Sequence, residues 1–296
     1  MSDYVSQFSN FSEFNTSESW VVLSSIEKQI KIKIERIGTP LKNWNIRINY
    51  GIKTGYNEAF IIDGKKKDQL IAEDPKSADI IRPLLRGRDI KRYSHEYADL
   101  YLITTFPSLK IDIDSYPSVK QHLIGFGFDR LKQTGDKGAR KKTNNQWFET
   151  QDSISYWEDF FRPKIIYPNM TKFLPFMYDD KEYLTNQKCF IITGEKIEFL
   201  VAFLNSSLFK YCFKENFPEL QGGTRELSKI FFDKISILHI SEEMNLHFKS
   251  LIDKVHYLKY NNEASKEIEL QIDNKIFELY NLTDEEKNEV GFIEIQ

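Results

Sequence analysis

Apolar residues recur at helical spacing in three parts of the chain and in short, broken runs elsewhere. Leu23, Ile26, Ile30 and Ile34 fall on one face between lysines and glutamates. This predicts a helix from about Ser17 to Ile37, stopped by Gly38-Thr39-Pro40. Residues 196–213 (KIEFLVAFLNSSLFKYCF) are apolar on nearly every side and predict one largely buried helix. Phe248, Leu251, Ile252, Val255 and Leu258 make one apolar stripe; Ile268, Ile272, Ile276 and Leu279 make a second. Asn261-Asn262 interrupts them. Between Trp44 and about Phe190 the period changes. AFIID, LYLITT and KIIYPN alternate with turn-forming stretches, as strands with long loops do. FFDKISILHI near residue 235 reads as a further strand.

The pattern predicts an α/β (α+β) protein with a mixed, β-rich lobe and a helical region. An N-terminal arm and linker helix span 1–40, the β-rich lobe 41–195 and the helical region 196–296. No repeat of fixed period is present. Residues 129–146 (DRLKQTGDKGARKKTNNQ) are polar and contain glycine, and predict a long exposed loop, a usual place for function.

Composition excludes several classes. An apolar fraction of 41% over 296 residues is enough for a real core. No apolar stretch approaches the roughly 20 residues of a membrane span. The start, MSDYVSQFSNFSEF, lacks the basic and apolar regions of a signal peptide, so a soluble cytoplasmic protein is expected. Cys189 and Cys212 sit in apolar runs, with no histidine at ligand spacing. They read as buried free thiols, and no metal site is expected. The histidines are scattered; His247 and His256 read as solvated.

Catalytic signatures are missing. The sequence has no P-loop, GxGxxG, GxSxG or HExxH. It also lacks the Asn/Asp-Pro-Pro-aromatic loop with which an amino-methyltransferase holds a flipped base. The only Glu-x-Lys, Glu285-Glu286-Lys287, lies in an acidic tail and reads as a salt-laced helix surface. No catalytic residue or cofactor is assigned to this chain.

The net charge of −3 speaks against a nucleic-acid partner until its distribution is considered. Residues 241–296 hold six lysines and thirteen acids, a charge of −7, which leaves +4 on the rest. Three segments concentrate the basic charge. In IRPLLRGRDIKRY, Arg82, Arg86, Arg88, Lys91 and Arg92 stand against Asp89, with Gly87 free to turn. Arg130, Lys132, Lys137, Arg140, Lys141 and Lys142 precede Asn144, Asn145, Gln146, Trp147 and Phe148. Gly222-Gly223-Thr224-Arg225 offers bare amides and a guanidinium to a phosphate. Cations give affinity for phosphates; Asn and Gln can read adenine. Each run can equally be an ordinary solvated face.

Several ordered blocks resemble the TaqI-like C-terminal specificity domain of type IIG restriction-modification enzymes and related adenine methyltransferases. They are WVVLSSIEKQIKIKIERIGTPLKNW (20–44), GIKTGYNEAFIID (51–63), IRPLLRGRDIKRY (81–93), LTNQKCFIIT (184–193), FLVAFLNSSLFKYCFK (199–214), QGGTRELSK with FFDKISIL, and IDNKIFELYNLTDEEKNEV (272–290). Residues 100–180 match poorly. The resemblance implies a target-recognition lobe that reads double-stranded DNA for an adenine-N6 methyltransferase/endonuclease module. That module is supplied in cis or in trans, with S-adenosylmethionine and Mg²⁺ belonging to it alone. It implies that Lys53, Thr54 and Gly55 lie toward DNA and that Arg86, Gly87 and Arg88 brace or contact its backbone. A tight strand-turn is the alternative reading of GIKTG, and a protein-interaction or assembly module the alternative for the whole chain. The resemblance leaves open whether the chain is a C-terminal region or a separate specificity subunit.

Overall fold

The computed structural model describes residues 24–293, so the predicted arm at 1–16 and the first turns of the predicted helix lie outside the described residues. Helix α1 (Ser25–Ile37) starts where Ser24 caps it. The Ser24 hydroxyl accepts from the Glu27 amide at 3.1 Å, and the Glu27 carboxylate accepts from the Ser24 amide.

Strands β1 (Thr39–Pro40) and β2 (Ile46–Tyr50) follow, then helix α2 (Asn57–Phe60), strand β3 (Ile61–Asp63) and helix α3 (Gly64–Glu73). Strands β4 (Ile81–Leu85), β5 (Ile90–Lys91), β6 (Ser94–His95) and β7 (Leu100–Ile103) lead to helices α4 (Pro117–Ile124) and α5 (Phe128–Leu131). After a long connection come β8 (Lys164–Pro168), β9 (Met170–Thr171), β10 (Met177–Asp179), β11 (Leu184–Thr185) and β12 (Cys189–Gly194). The C-terminal part holds α6 (Ile197–Leu204), α7 (Ser207–Phe213), β13 (Arg225–Glu226), α8 (Lys229–Phe232) and β14 (Ser236–Ile237). It ends in α9 (Glu242–Tyr260), α10 (Lys266–Leu279) and α11 (Asp284–Val290). The protein is mixed α/β, and no helix among the described residues is long and apolar enough to cross a membrane.

Two four-stranded sheets organise the fold. One is antiparallel, in the order β10-β8-β12-β2; the other runs β11-β4-β7-β3, with β11 and β4 parallel. The first sheet is covered on both sides. Ile165, Tyr167, Tyr178, Phe190 and Ile192 face a core shared with α1, α6, α7, α9 and α10. Ile166, Met177, Cys189 and Ile191 face a second core with Phe60, Leu84, Leu102 and Val119. This explains the unbroken apolar runs of β8 and β12, since a strand buried on both faces shows no polar alternation. The predicted boundary near 195 follows β12, a strand with one face in each core.

Four readings differ from the structure, the first being AFIID, where Ala59 and Phe60 end helix α2 and only Ile61–Asp63 is strand. The apolar helix at 196–213 is two helices, α6 and α7, broken at Asn205-Ser206. Both polar side chains are fully buried and need partners. Asn205 Nδ2 donates to the Phe176 carbonyl at 2.7 Å, its Oδ1 accepts the Phe176 amide at 3.1 Å, and Ser206 caps α7 through the Phe209 amide. FFDKISILHI contributes only the two-residue β14 as strand. Its start closes the short helix α8, with Lys229 paired to Asp233 at 2.6 Å. His256 is not solvated. It packs beside Tyr178, its Nε2 has no hydrogen-bond partner among the described residues, and burial pushes its pKa down to about 4.

A buried ion pair sits within the first sheet. Lys164 and Asp179 are register partners on β8 and β10, with Nζ 2.6 Å from Oδ2. Lys164 also donates to the Phe160 carbonyl, and Asp179 accepts the amides of Lys181 and Tyr183. Lys164→Met leaves a buried carboxylate without its cation. Urea unfolding is expected to show a loss of about 3–5 kcal/mol, recovered in large part when Asp179→Asn is added. Equal losses in single and double variants would contradict this account.

Candidate nucleic-acid interface

The segment 51–55 is the seam between the two sheets. The Gly51 amide donates to the Cys189 carbonyl at 2.8 Å and the Ile52 amide to Thr185 at 2.7 Å; the Gln187 amide returns to Ile52 at 2.9 Å. Residues 185–188, which carry the chain from β11 into β12, therefore lie directly on Gly51. A Cβ there would stand 2.6 Å from the Asn186 carbonyl carbon, which only glycine avoids. On the other side, the amides of Gln151 and Asp152 donate to the carbonyls of Thr54 and Lys53. Thr54 is buried, donates to Asn57 at 2.7 Å and accepts the Tyr56 amide, so it shapes the turn and is not open to DNA. Lys53 stays half-exposed.

Arg140, expected among the DNA-contacting residues of the loop, is only 2% exposed. Its guanidinium donates to four carbonyls: Leu131 at 2.8 Å, Thr54 at 3.0 Å, Glu149 at 2.7 Å and Trp147 at 2.6 Å. Burial, reinforced by Arg130, brings its pKa down to about 10. A planar fork of five N–H donors suits such a cluster of carbonyls. Arg140 thus ties the 129–151 loop to the 51–55 seam.

Around that tie the loop divides its side chains. Gln133 donates to the carbonyls of Gln146 and Glu149 and accepts from Thr143; Asn145 donates to Thr150 and Gln151. Gln133, Arg140, Thr143 and Asn145 therefore serve the loop itself. Lys137, Lys141, Lys142, Asn144 and Gln146 are exposed. Burial raises the Asp152 carboxyl, and nearby Lys53 and Lys141 pull it back, which places both cations beside the seam. Arg130 lies over the Tyr56 ring at 4.4 Å and donates to Gly138, Lys132 pairs with Asp129, and Trp147 packs on Phe128. These three brace the loop.

The 86–88 turn borders a groove of about 780 Å³ with Lys91, Met170, Phe173, Asn186 and Lys188. Arg86 forms a two-point ion pair with buried Asp89, at 2.9 and 2.8 Å, and so holds the turn. A Cβ on Gly87 would meet the Lys188 carbonyl at 3.0 Å. Arg88 and Lys188 are exposed and have no carboxylate partner among the described residues.

Two other expected phosphate contacts are internal. Arg92 is buried, ion-paired with Glu269, and donates twice to the Asn205 carbonyl, joining the lobe to α10. Arg225 is buried, pairs with Glu219 at 2.8 Å, and donates to the Lys214 and Phe217 carbonyls. Gly222 and Gly223 are exposed at φ +77°. Lys188, Met170 and Phe173 were not anticipated. A lone lysine inside the apolar LTNQKCFIIT gives no charge cluster, and the groove exists only after folding.

The profile of the TaqI-like C-terminal specificity domain matches residues 82–237, more than half of the chain. The chain belongs to this family. The specificity-domain match takes in the groove and the 129–151 loop. It stops short of α9–α11 and begins after the seam. Among curated proteins, the chain is 21% identical over 282 residues to type II methyltransferase M.PaeR7I of Pseudomonas aeruginosa, covering 94% of this chain and 45% of that protein. The chain thus spans under half of that relative's length. In fold it is similar to the type IIL restriction-modification enzyme MmeI, solved in complex with DNA (TM-score 0.53, 11% identity, 85% of this chain, 35% of that one). It is also similar to the type IIG restriction endonuclease BpuSI (TM-score 0.53, 15% identity, 79% and 28%).

Arg140→Ala strands four carbonyls and is expected to cost roughly 2–4 kcal/mol in urea unfolding. Amides of residues 133–151 should exchange faster than those of β8 and β12. Arg140→Lys should not rescue, because an ammonium cannot reach all four acceptors. Unaltered loop exchange in Arg140→Ala would contradict the assignment.

Proposed function

We propose that the chain is the target-recognition module of a restriction-modification protein. It binds duplex DNA in a sequence-specific manner and delivers the site to an adenine-N6 methyltransferase/endonuclease module, present in cis or in trans. The chain carries no catalytic group in this reading; S-adenosylmethionine and Mg²⁺ belong to the catalytic module. The observation that carries the proposal is the division of labour around the seam. Arg92, Arg140 and Arg225 are used up inside the fold, while Arg88, Lys188, Lys141 and Lys142 stay exposed on segments that adjoin Gly51–Gly55 or its neighbours. Membership in a specificity-domain family and the fold shared with MmeI support it.

The free cations hold phosphates and set register, and the exposed amides of Asn144 and Gln146 read adenine edges. Asn145, whose amide is committed to two carbonyls, does not read. The other reading, a protein-docking module, is favoured by Leu246, Tyr257 and Tyr260, which are 57%, 66% and 84% exposed on α9.

Duplex binding followed by fluorescence anisotropy across a salt series distinguishes the two. Arg88→Glu with Lys188→Glu should weaken binding at least tenfold and flatten the log K against log salt slope by about one for each phosphate no longer neutralised. Wild-type binding that ignores salt, or a variant with the wild-type slope, would favour the docking reading. Selection from a random duplex library is the second check. Asn144→Ala and Gln146→Ala should relax preference at adenine positions, at about 1–3 kcal/mol each, without changing the salt slope. Asn145→Ala is expected to act through loop stability.

A further inference from the structure

The cation-lined groove contains two large apolar side chains that phosphate binding does not explain. Met170 and Phe173 are 48% and 43% exposed. They line the groove with Arg86, Arg88, Lys91 and Lys188, of which Arg86 pairs with Asp89 and Lys91 with Glu96 at 3.5 Å; among the described residues no aspartate or glutamate lines the groove itself. Their mount is rigid. Met170 and Thr171 pair with Glu226 and Arg225 in the β9–β13 ladder, and Arg225 fixes the far side through the carbonyls of Lys214 and Phe217. The Phe173 amide donates to the Thr171 hydroxyl at 3.0 Å. Leu174, next in the chain, is 1% exposed and held at φ +47°, a conformation unfavourable for leucine that persists only where packing dictates it. The burial of Leu174 and Phe176 leaves Phe173 outside the core.

Two apolar side chains beside Arg88 and Lys188, the groove cations without a carboxylate partner among the described residues, match a polyanion with an apolar interior. A protein partner of matching charge would instead bring carboxylates to Arg88 and Lys188. Stacked bases behind a phosphate backbone have that character, and proteins exploit it by inserting apolar wedges between base steps. We propose that Met170 and Phe173 form an apolar wedge that opens a base step of the duplex beside the phosphates held by Arg88 and Lys188. This rests on the DNA-binding reading above and adds a deformation of the duplex to it. Unstacking a step costs a few kcal/mol, least where pairing is already broken. A wedge therefore binds a mismatched duplex more tightly than a matched one, whatever the sequence.

The test compares a matched 30-base-pair duplex with the same duplex carrying one central mismatch, in the full chain and in Met170→Ser with Phe173→Ser. Both positions are exposed, and circular dichroism confirms folding. The wild type is expected to prefer the mismatched duplex roughly tenfold. The double variant should bind both equally and keep the wild-type salt slope. Arg88→Glu with Lys188→Glu should flatten the slope and keep the mismatch preference. A wild type without preference, or a wedge variant that retains it, overturns the proposal and leaves the DNA-binding reading standing. If the wild type binds neither duplex, both fall. If the wedge variant loses only association with a separately supplied methyltransferase module, the groove is a protein site and the wedge is wrong.

Discussion

The close approach of Gly51 to the 185–188 turn is the constraint on which the candidate interface depends. The two sheets meet there through backbone hydrogen bonds from Gly51, Ile52 and Gln187. The side chains that adjoin the seam come from distant parts of the sequence: Lys53, Asp152, Lys188 and, across Gly87, Arg88. Removing a Cβ at one position thus lets two sheets, a turn and a loop share one edge. The same segment accepts Arg140 at the Thr54 carbonyl, which fastens the 129–151 loop to the 51–55 seam. Substitutions at the exposed positions of the loop then leave its attachment in place.

Charge in this protein divides into spent and available parts. Arg92, Arg140 and Arg225 each meet several acceptors in the interior, where an unpaired cation would be costly. Arg92 and Arg140 also connect parts that the chain alone would leave apart: the β-rich lobe with α10, and the loop with the seam. Guanidinium suits this work because one planar group satisfies several carbonyls at once. The cations left over are mostly lysines, together with Arg88. They suit a surface where counterion release supplies affinity and geometry supplies register.

Much of the fold was legible in the sequence. The stripes at 248–258 and 268–279 became α9 and α10, because helical spacing directly reports a one-sided burial. KIIYPN read as a strand and became β8; that β8 and β12 are buried on both faces emerged only from the folded arrangement. Asn205-Ser206 did not read as a helix break, because the Phe176 backbone that receives Asn205 is distant in sequence. The site was legible as segments and illegible as roles. A run of basic residues does not say which guanidinium will find carbonyls, and a single lysine in an apolar block does not announce a groove. Gly51 could be read as special, but whether it served a ligand or another strand needed the Asn186 carbonyl in place.

The central claim is that DNA lies along the groove, the seam and the exposed side of the 129–151 loop. Amide hydrogen exchange of the full chain, free and with saturating duplex at low salt, tests it most directly. Protection is predicted at residues 86–91, 141–146, 170–173 and 186–188, with α9 and α10 unchanged. Protection confined to α9 and α10, or absent under conditions where the duplex is bound, would contradict it.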